Sequence, residues 1–384
     1  MFKFTNQDAF INRKDEFNFL QDWINQKPNN ILFIYGPKSS GKTTLLMKFI
    51  EMYLNNNQYS IKHFNLRKLL IANYIDFIQA FFEIDYSKST QDIKQKTEYS
   101  LKVFKLSKEI KKCLENKTLD PFIVMEKELL KISKKGKRPI IIIDEMQALE
   151  DIYVNGQREL LKELFNFFVA ITKESHLCHV IISSSDGYFM KRLYEDSKLS
   201  KTSDFYAVDY LNEFDTKYWL NHLESESAIT HYTLSDTQID MIWNYIGGSM
   251  WEISTLLGKL IRFSKNNVVS NEQLNSFIQK IIDENCGKFI YYAKLNRQKI
   301  LLFKEIYHIC LKQNEFTVFD LTSLIHNHVY NNIELSEELN QLVQLNYLAF
   351  HPTTSIYRLQ GKSMFYGLQT FIERLPDDIE TMIQ

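Results

Sequence analysis

The sequence has few of the residues that mark secreted, membrane-spanning or linker-rich proteins. Its four cysteines, Cys113, Cys178, Cys286 and Cys310, lie far apart and form no C-x-x-C pair, so we expect neither a zinc site nor a disulfide framework. Only 11 glycines and 6 prolines occur in 384 residues, and no flexible linker is evident. No apolar run approaches the roughly 20 residues of a membrane helix, and no signal-peptide pattern is found. These absences predict a cytoplasmic protein.

The chain also lacks a strong net charge. The formal charge is -1, so the overall charge does not favour binding to a polyanion, and any contact with nucleic acid must come from a local patch. Hydrophobic residues make up 45% and charged residues 24% of the chain, which is a globular balance. The length predicts two or three domains.

One motif follows a candidate buried strand near the N-terminus. Residues 31–35 are apolar and lead into Gly36-Pro37-Lys38-Ser39-Ser40-Gly41-Lys42-Thr43, which has the G-x-x-x-x-G-K-T spacing of a phosphate-binding P-loop. An amphipathic helical pattern begins at Thr44. The glycines let backbone N–H groups face phosphates at the positive end of that helix. Lys42 can reach the β- and γ-phosphates, and Thr43 can ligate Mg²⁺. We therefore predict a nucleoside triphosphate site that includes residues 36–44.

A second motif ends another candidate strand. Residues 138–143 read as a strand buried on both faces and lead into Asp144 and Glu145. In P-loop ATPases an acid at this position holds Mg²⁺ through water, and a second carboxylate can polarise the attacking water. We assign the metal role to Asp144 and the role of general base to Glu145. The long separation from the P-loop predicts a helical insertion, at about residues 74–135, between the second and third strands.

The inserted segment is basic and has mostly helical spacing. Its apolar positions include Leu101, Phe104, Leu106 and Ile110, which we place on one helical face. Between residues 94 and 138 there are 14 lysines and arginines against 6 acids. Solvated helix faces explain this excess, and a docking surface for nucleic acid or an acidic protein partner is the alternative.

A third buried strand ends in hydroxyl groups. Residues 179–182 are followed by Ser183, Ser184 and Ser185, and either Ser183 or Ser185 is a candidate sensor of the γ-phosphate, with an ordinary serine-rich turn as the alternative. Residues 60–66 and 205–208 read as further strands. The expected fold is therefore α/β, a P-loop NTPase core over residues 1–208 with a parallel sheet between helices.

Residues beyond 208 read as helical. Three helical patterns, with Gly247-Gly248 before the third, predict an α-helical domain at 209–285. More helices follow, and then two short strands around a polar turn at 351–355 match a winged helix in outline, which we place at 286–384. From residue 288 onward 9 basic residues face 10 acidic ones, a balance that weakens a DNA-binding interpretation.

The residues ahead of the first helix are also candidates for nucleotide contact. Phe10, Ile11, Asn12 and Arg13 precede a helical pattern that leads to the P-loop strand. A segment in this place is well situated to cover the adenine base. An ordinary N-terminal helix with its cap fits the pattern equally well.

Together these motifs resemble the archaeal-type ATPase family, P-loop proteins related to AAA+ and STAND ATPases. The resemblance also rests on Phe64-Asn65-Leu66-Arg67 after the second strand, on Gln147 in the extended acid motif, and on the segment 245–252 with its Gly-Gly pair. It implies ATP as the nucleotide, a core followed by a lid and a winged-helix domain, and a hinge that brings Gly248 and Trp251 near the nucleotide.

One departure from the resemblance concerns arginine. Such proteins often carry an arginine shortly after the sensor strand, whereas this chain has none between Arg192 and Arg262, and Lys198 and Lys201 occupy that stretch. An arginine finger contributes about 10³–10⁵ in rate where it operates. We therefore expect slow hydrolysis, or a substitution of that role by Arg192.

The favoured function is hydrolysis of ATP with Mg²⁺ to switch the chain between conformations, with the cellular role open. Two alternatives come from other classes of protein. One is a DNA-binding, replication-initiator-like ATPase, and the other is a STAND-like nucleotide-gated scaffold with negligible turnover. A DNA or protein partner would dock on residues 94–138 or on the winged-helix domain.

Overall fold

The structure is a computed structural model that describes residues 9–55, 57–84, 103–154, 156–195, 199, 201–264, 268–294 and 296–375. The chain divides into two compact units. We call Lys14–Tyr35 with Lys42–Ala207 the sheet unit, and Met1–Arg13 with Gly36–Gly41 and Val208–Gln384 the helical unit. Residues 36–41 of the P-loop motif thus belong to the helical unit, and the residues that follow them belong to the sheet unit.

A parallel sheet forms the centre of the sheet unit. Its five strands have the order β2-β5-β6-β1-β7, and every neighbouring pair is parallel. A separate parallel pair is formed by β3 and β4. In chain order the strands are β1 (Ile31–Tyr35), β2 (Tyr59–Asn65), β3 (Phe82–Ile84), β4 (Phe104–Leu106), β5 (Arg138–Asp144), β6 (His179–Ser184) and β7 (Ser203–Ala207). The predicted α/β class with a parallel sheet is confirmed.

Helices pack against this sheet because its central strands are apolar on both faces. All residues of β1 and β6 are buried, as are six of the seven in β5, so each face needs a covering layer. The helices of the unit are α1 (Lys14–Asn25), α2 (Lys42–Phe49), α3 (Tyr74–Phe81), α4 (Lys108–Glu115), α5 (Pro121–Lys134), α6 (Leu160–Val169) and α7 (Gly187–Glu195).

The inserted segment is not helical throughout, so one prediction is wrong. Phe104 and Leu106, which we placed on a helical face with Leu101 and Ile110, lie in β4, where Phe104 and Leu106 are buried and Lys105 is exposed. A spacing of two residues suits the alternation of a strand. The Phe104 ring packs 6.2 Å from Phe64 of β2, which adds it to the core. Residue 101 lies outside the described residues.

The helical unit contains nine α-helices, one short 3₁₀ helix (Val318–Leu321) and one hairpin among the described residues. The helices are α8 (Glu213–Asn221), α9 (Leu223–Ser227), α10 (Asp236–Ile246), α11 (Met250–Ile261), α12 (Asn271–Ala293), α13 (Arg297–Cys310), α14 (Thr322–His326), α15 (Asn332–Gln344) and α16 (Lys362–Glu373). The antiparallel hairpin consists of β8 (Leu348–His351) and β9 (Ile356–Leu359).

The Gly-Gly pair interrupts the helices as predicted. Gly247 follows the end of α10 with φ of +73°, and α11 begins at Met250. The boundary that we placed between residues 285 and 286 falls inside the continuous helix α12. The lid and the winged-helix domain remain predictions.

Among the described residues, every helix is either too short or too polar to cross a lipid bilayer.

Candidate functional site at the carboxyl ends of the strands

Asp144 stands at the carboxyl end of β5 with both of its oxygens held by hydroxyl groups. Thr43, in the first turn of α2, donates a hydrogen bond of 2.7 Å to Oδ2, and Ser183 of β6 donates one of 2.8 Å to Oδ1. Asp144 is 1% exposed and lies beside Ser183 in the register of β5 and β6. A hydroxyl and a carboxylate in contact are the oxygen donors that Mg²⁺ prefers. The two residues that we predicted as metal ligands are thus brought together.

Glu145 directly follows β5 and has a left-handed conformation. Its φ is +63° and its ψ is +51°, and its backbone N–H donates to the Ser183 carbonyl at 2.8 Å. A left-handed conformation costs a residue with a side chain about 1 kcal/mol or more and persists where the surroundings enforce it. Here the main-chain bond to β6 and the turn Met146–Leu149 enforce it. The strand therefore ends abruptly at the predicted general base.

Three side chains hold the Glu145 carboxylate. Arg67 forms an ion pair with Oε1, Gln147 donates to Oε2, and Ser185 lies 3.3 and 3.4 Å from the two oxygens. Glu145 itself is buried, whereas the Arg67 side chain is 62% exposed. Any water that binds this carboxylate must therefore compete with these donors, of which Ser185 makes the longest contacts.

The serines after β6 have separate partners. Ser183 donates to Asp144 and Ser185 to Glu145, whereas Ser184 donates to Oε1 of Gln147 at 2.8 Å. Ser184 thereby fixes the amide that holds Glu145. Both candidate sensors contact an acid of the motif, and their role toward the γ-phosphate stays a prediction.

Arg192, the candidate substitute for an arginine finger, is already paired. It lies in α7, forms an ion pair with Glu150 and stacks 5.3 Å over the ring of Tyr188. Burial lowers the pKa of its guanidinium. Its catalytic role stays a prediction. Lys201, in the stretch that we noted for its lack of arginine, is exposed, and residue 198 lies outside the described residues.

The P-loop glycines adopt conformations that other residues rarely reach. Gly36 has φ of +151° and Gly41 of +92°, and Ser39 between them is also left-handed at +65°. A Cβ atom on Gly36 would lie 2.1 Å from the Val208 carbonyl oxygen, so only glycine fits there. Successive N–H groups in such a turn form a concave anion-binding nest. The residues present therefore fit a bound phosphate chain. Lys42, the next residue in the chain, is buried.

Arg13 contacts the P-loop main chain. Its Nη2 donates to the carbonyl oxygens of Ser40 at 2.8 Å and of Asp209 at 3.0 Å, and the residue is 6% exposed. Asn12 donates to Oδ1 of Asp215 at 2.8 Å, and Ile11 is buried in the core of the helical unit. These residues anchor the N-terminal segment to the helical unit, and their contact with adenine stays a prediction, as does that of Phe10.

The Gly-Gly motif packs against the segment that follows β7. A Cβ atom on Gly248 would lie 1.9 Å from the Leu211 carbonyl oxygen, and the Leu211 N–H donates to the Gly248 carbonyl at 3.1 Å. Trp251, two residues into α11, is 63% exposed. The glycine is therefore required for packing, and the nucleotide contacts that we predicted for Gly248 and Trp251 stay predictions.

Two residues of this region carried no predicted role. Arg67 belongs to the motif 64–67, which follows the second strand. Parallel strands end at the same edge of a sheet, and Asn65 at the end of β2 pairs with Asp144. This rule could therefore have predicted that Arg67 lies near Asp144 and Glu145. Tyr210 donates to the Lys38 carbonyl of the P-loop at 2.9 Å. No local pattern in the sequence marks Tyr210, since its partners lie 172 and 150 residues away.

Comparison with known proteins agrees with this architecture. A family model of an ATPase domain found predominantly in Archaea matches residues 10–256. An uncharacterized ATP-binding protein of Pyrococcus abyssi is 36% identical over 377 residues, which cover 95% of this chain and 99% of that protein.

Solved structures are similar in fold at low sequence identity. The Walker-type ATPase of Pyrococcus abyssi has a TM-score of 0.63 at 15% identity, over 95% of this chain and 97% of its own. The ORC2 protein of Aeropyrum pernix has a TM-score of 0.54 at 11% identity, over 96% of each chain. The fold is thus that of a P-loop ATPase. By its family match and its relative of nearly equal length, the chain belongs to the family of ATPase domains found predominantly in Archaea.

Proposed function

We propose that this chain binds ATP with Mg²⁺ and hydrolyses it to switch conformation. The observation that carries the proposal is the hydrogen bond from Thr43 to Asp144. The buried Glu145 is the next residue in the chain, so the proposed metal ligands and the proposed general base lie together at the end of β5. The relative of nearly equal length is named as an ATP-binding protein, which supports ATP as the nucleotide.

The residues have distinct tasks in this proposal. The main-chain N–H groups of residues 36–44 and the Lys42 ammonium bind the phosphates, and Thr43 and Asp144 hold the cation. Bound Mg²⁺–ATP supplies the γ-phosphorus that water attacks and the charge that stabilises the leaving oxygen. Glu145 accepts the proton of that water at one carboxylate oxygen once a donor has released it. Ser183 keeps Asp144 oriented throughout.

Phosphate release with ATP and Mg²⁺ tests the proposal, and Glu145→Gln is the decisive variant. We expect its turnover to fall at least about a hundredfold, because an amide cannot accept the proton, while binding of a fluorescent ATP analogue persists. Asp151→Asn is the matched control, since Asp151 is also an acid in the left-handed conformation, with φ of +60°, but is exposed.

The outcomes separate the candidate functions. Native turnover that survives in Asp151→Asn and collapses in Glu145→Gln supports hydrolysis by the assigned base. Absence of phosphate release from the native chain, despite ATP binding, refutes hydrolysis and leaves a nucleotide-gated scaffold. Duplex DNA added in parallel, at low and at high salt, tests for an initiator-like protein, whose DNA affinity falls steeply with salt.

A further inference from the structure

Two carbonyl groups of the P-loop are held by side chains from elsewhere in the helical unit. The Tyr210 hydroxyl donates to the Lys38 carbonyl at 2.9 Å, and Arg13 Nη2 donates to the Ser40 carbonyl at 2.8 Å. In a P-loop the N–H groups face the phosphates, so bonds to the carbonyl groups hold the loop on the side away from the phosphates. They limit the orientations that the N–H groups can take.

Both contacts continue to the hairpin formed by β8 and β9. Tyr210 also lies 3.2 Å from Oε1 of Gln360, the residue after β9, and Arg358 of β9 forms an ion pair of 2.6 Å with Asp209. Asp209 in turn accepts the second bond of Arg13, through its carbonyl, at 3.0 Å. The consecutive residues Asp209 and Tyr210 therefore join the P-loop to the hairpin by two parallel routes.

The hairpin end of the Tyr210 route is well fixed. Gln360 is 8% exposed, its Nε2 donates to the Leu348 carbonyl at 3.1 Å, and its N–H donates to the Tyr347 carbonyl at 3.0 Å. The donation by Nε2 leaves Oε1 as the atom that faces Tyr210. Close packing of Gly248 on Leu211 supports the chain just beyond Tyr210.

One hydroxyl proton serves two acceptors in this arrangement. The Lys38 carbonyl and Oε1 of Gln360 only accept, so a stronger bond from Tyr210 to one weakens its bond to the other. The Tyr210 hydroxyl is protonated at neutral pH, and burial raises its pKa further. A shift of the P-loop upon ligand binding must therefore alter the bond to Gln360, and a shift of the hairpin must alter the bond to Lys38.

We propose that Tyr210 is a positioning residue for the P-loop, and that it couples nucleotide binding to the hairpin of β8 and β9. The inference rests on the proposed binding of ATP but not on hydrolysis. Because such coupling is reciprocal, nucleotide steadies the hairpin, and a ligand that moves the hairpin changes the affinity for nucleotide. The C-terminal hairpin thereby becomes a regulatory element of the P-loop.

Tyr210→Phe tests the first half of the proposal. The substitution keeps the ring and removes both hydrogen bonds, so the affinity for a fluorescent non-hydrolysable ATP analogue with Mg²⁺ should fall about three- to tenfold, the effect of one hydrogen bond. Tyr232→Phe is the matched control. It removes a tyrosine bond of 2.9 Å to the Leu257 carbonyl in the same unit, without touching the P-loop or the hairpin, and should leave the affinity unchanged.

Hydrogen exchange tests the second half. In the native chain the ATP analogue should slow amide exchange in residues 348–359. Gln360→Met cuts the Tyr210 route at its hairpin end and leaves the Asp209 route intact, so it should reduce the difference in exchange between the free and the analogue-bound chain while the analogue still binds. If Tyr210→Phe fails to fold, the hydrogen-exchange comparison of Gln360→Met with the native chain still tests the coupling. Equal affinity of the native chain and Tyr210→Phe, or a slowing of hairpin exchange that is as large in Gln360→Met as in the native chain, would overturn the coupling.

Failure of this inference can be told from failure of the proposed function. A native chain that does not bind the ATP analogue refutes nucleotide binding and with it the coupling. A native chain that binds the analogue, with variants that behave like it, refutes only the role of Tyr210.

Discussion

The Ser183 hydroxyl donates a hydrogen bond of 2.8 Å to Oδ1 of Asp144. Because Thr43 occupies Oδ2 at 2.7 Å, the carboxylate is oriented by hydroxyl groups from two different elements before any ligand arrives. A preorganised ligand loses less entropy when it binds a cation. Ser183 is thus part of the support of the proposed metal site, in addition to its predicted role toward the γ-phosphate.

We expect Ser183→Ala to weaken the use of Mg²⁺. Loss of one donor to a buried carboxylate should raise the Mg²⁺ concentration for half-maximal ATP turnover about three- to tenfold. A titration of turnover with Mg²⁺ measures this. Ser203→Ala in β7 is the control, since the Ser203 hydroxyl is buried without a hydrogen-bond partner among the described residues. Equal Mg²⁺ dependence of the two variants would contradict the support role of Ser183.

Arg67→Ala should separate catalysis from stability. The Arg67 side chain is 62% exposed, so the loss of its ion pair should cost at most about 1 kcal/mol of unfolding free energy. Turnover should fall about fivefold or more with unchanged ATP affinity, because Glu145 loses a group that orients it. Steady-state kinetics and nucleotide binding measure the two effects.

A double-mutant cycle decides whether Arg67 acts through Glu145. If it does, Arg67→Ala should add little to the loss already caused by Glu145→Gln. Arg67→Lys, which keeps the charge but not the planar fork, should fall between the native chain and Arg67→Ala. Additive losses in the cycle would mean that Arg67 acts on another group.

Gly248→Ala should destabilise the helical unit severely. The new Cβ atom would lie 1.9 Å from the Leu211 carbonyl oxygen, which is backbone and cannot yield without moving the chain. We expect a loss of about 3 kcal/mol or more in the free energy of unfolding.

Gly287→Ala in α12 is the matched control, since none of the described residues lies within 4 Å of its Cβ position. This second substitution should stabilise by about 0.5–1 kcal/mol. Thermal unfolding compares them, and similar midpoints would contradict the steric argument.

Stability should decrease in mild acid because of His179. Burial, and then the charge of Arg138, lower its pKa from 6.5 to about 4. Since the unfolded chain takes up this proton at higher pH than the folded chain, the stabilisation is complete above pH 6.5 and is lost as the pH falls toward 4. The loss should amount to about 3 kcal/mol.

His179→Phe should remove that part of the pH dependence. The imidazole ring lies 4.9 Å from the Trp23 ring, and phenylalanine keeps an aromatic partner there but does not titrate. Denaturant unfolding at pH 7 and pH 4.5 should show a smaller decrease for the variant than for the native chain. The same decrease in both would show that other groups cause the acid sensitivity.

Local patterns determined most of the sheet and the chemical identity of the candidate site. The P-loop, each apolar strand and the pair Asp144-Glu145 are each formed by residues that are contiguous in the chain. Because the carboxyl ends of parallel strands lie at one edge of a sheet, the sequence alone predicts that the residues after these strands lie close together. The strand β4 was missed because three residues give too short a pattern to distinguish a strand from a helix.

Tertiary structure alone decided which partners hold these residues. The spacing of the sequence shows that Glu145 follows Asp144, but the donation by Ser183 to Asp144 spans 39 residues and the ion pair of Arg67 with Glu145 spans 78. The link from the P-loop through Tyr210 to Gln360 spans still more. Periodicity and motifs report on neighbours in the chain, whereas these contacts depend on strand order and on the packing of helices. The sequence therefore predicts which residues form the candidate site, and only the fold shows which side chains hold them in place.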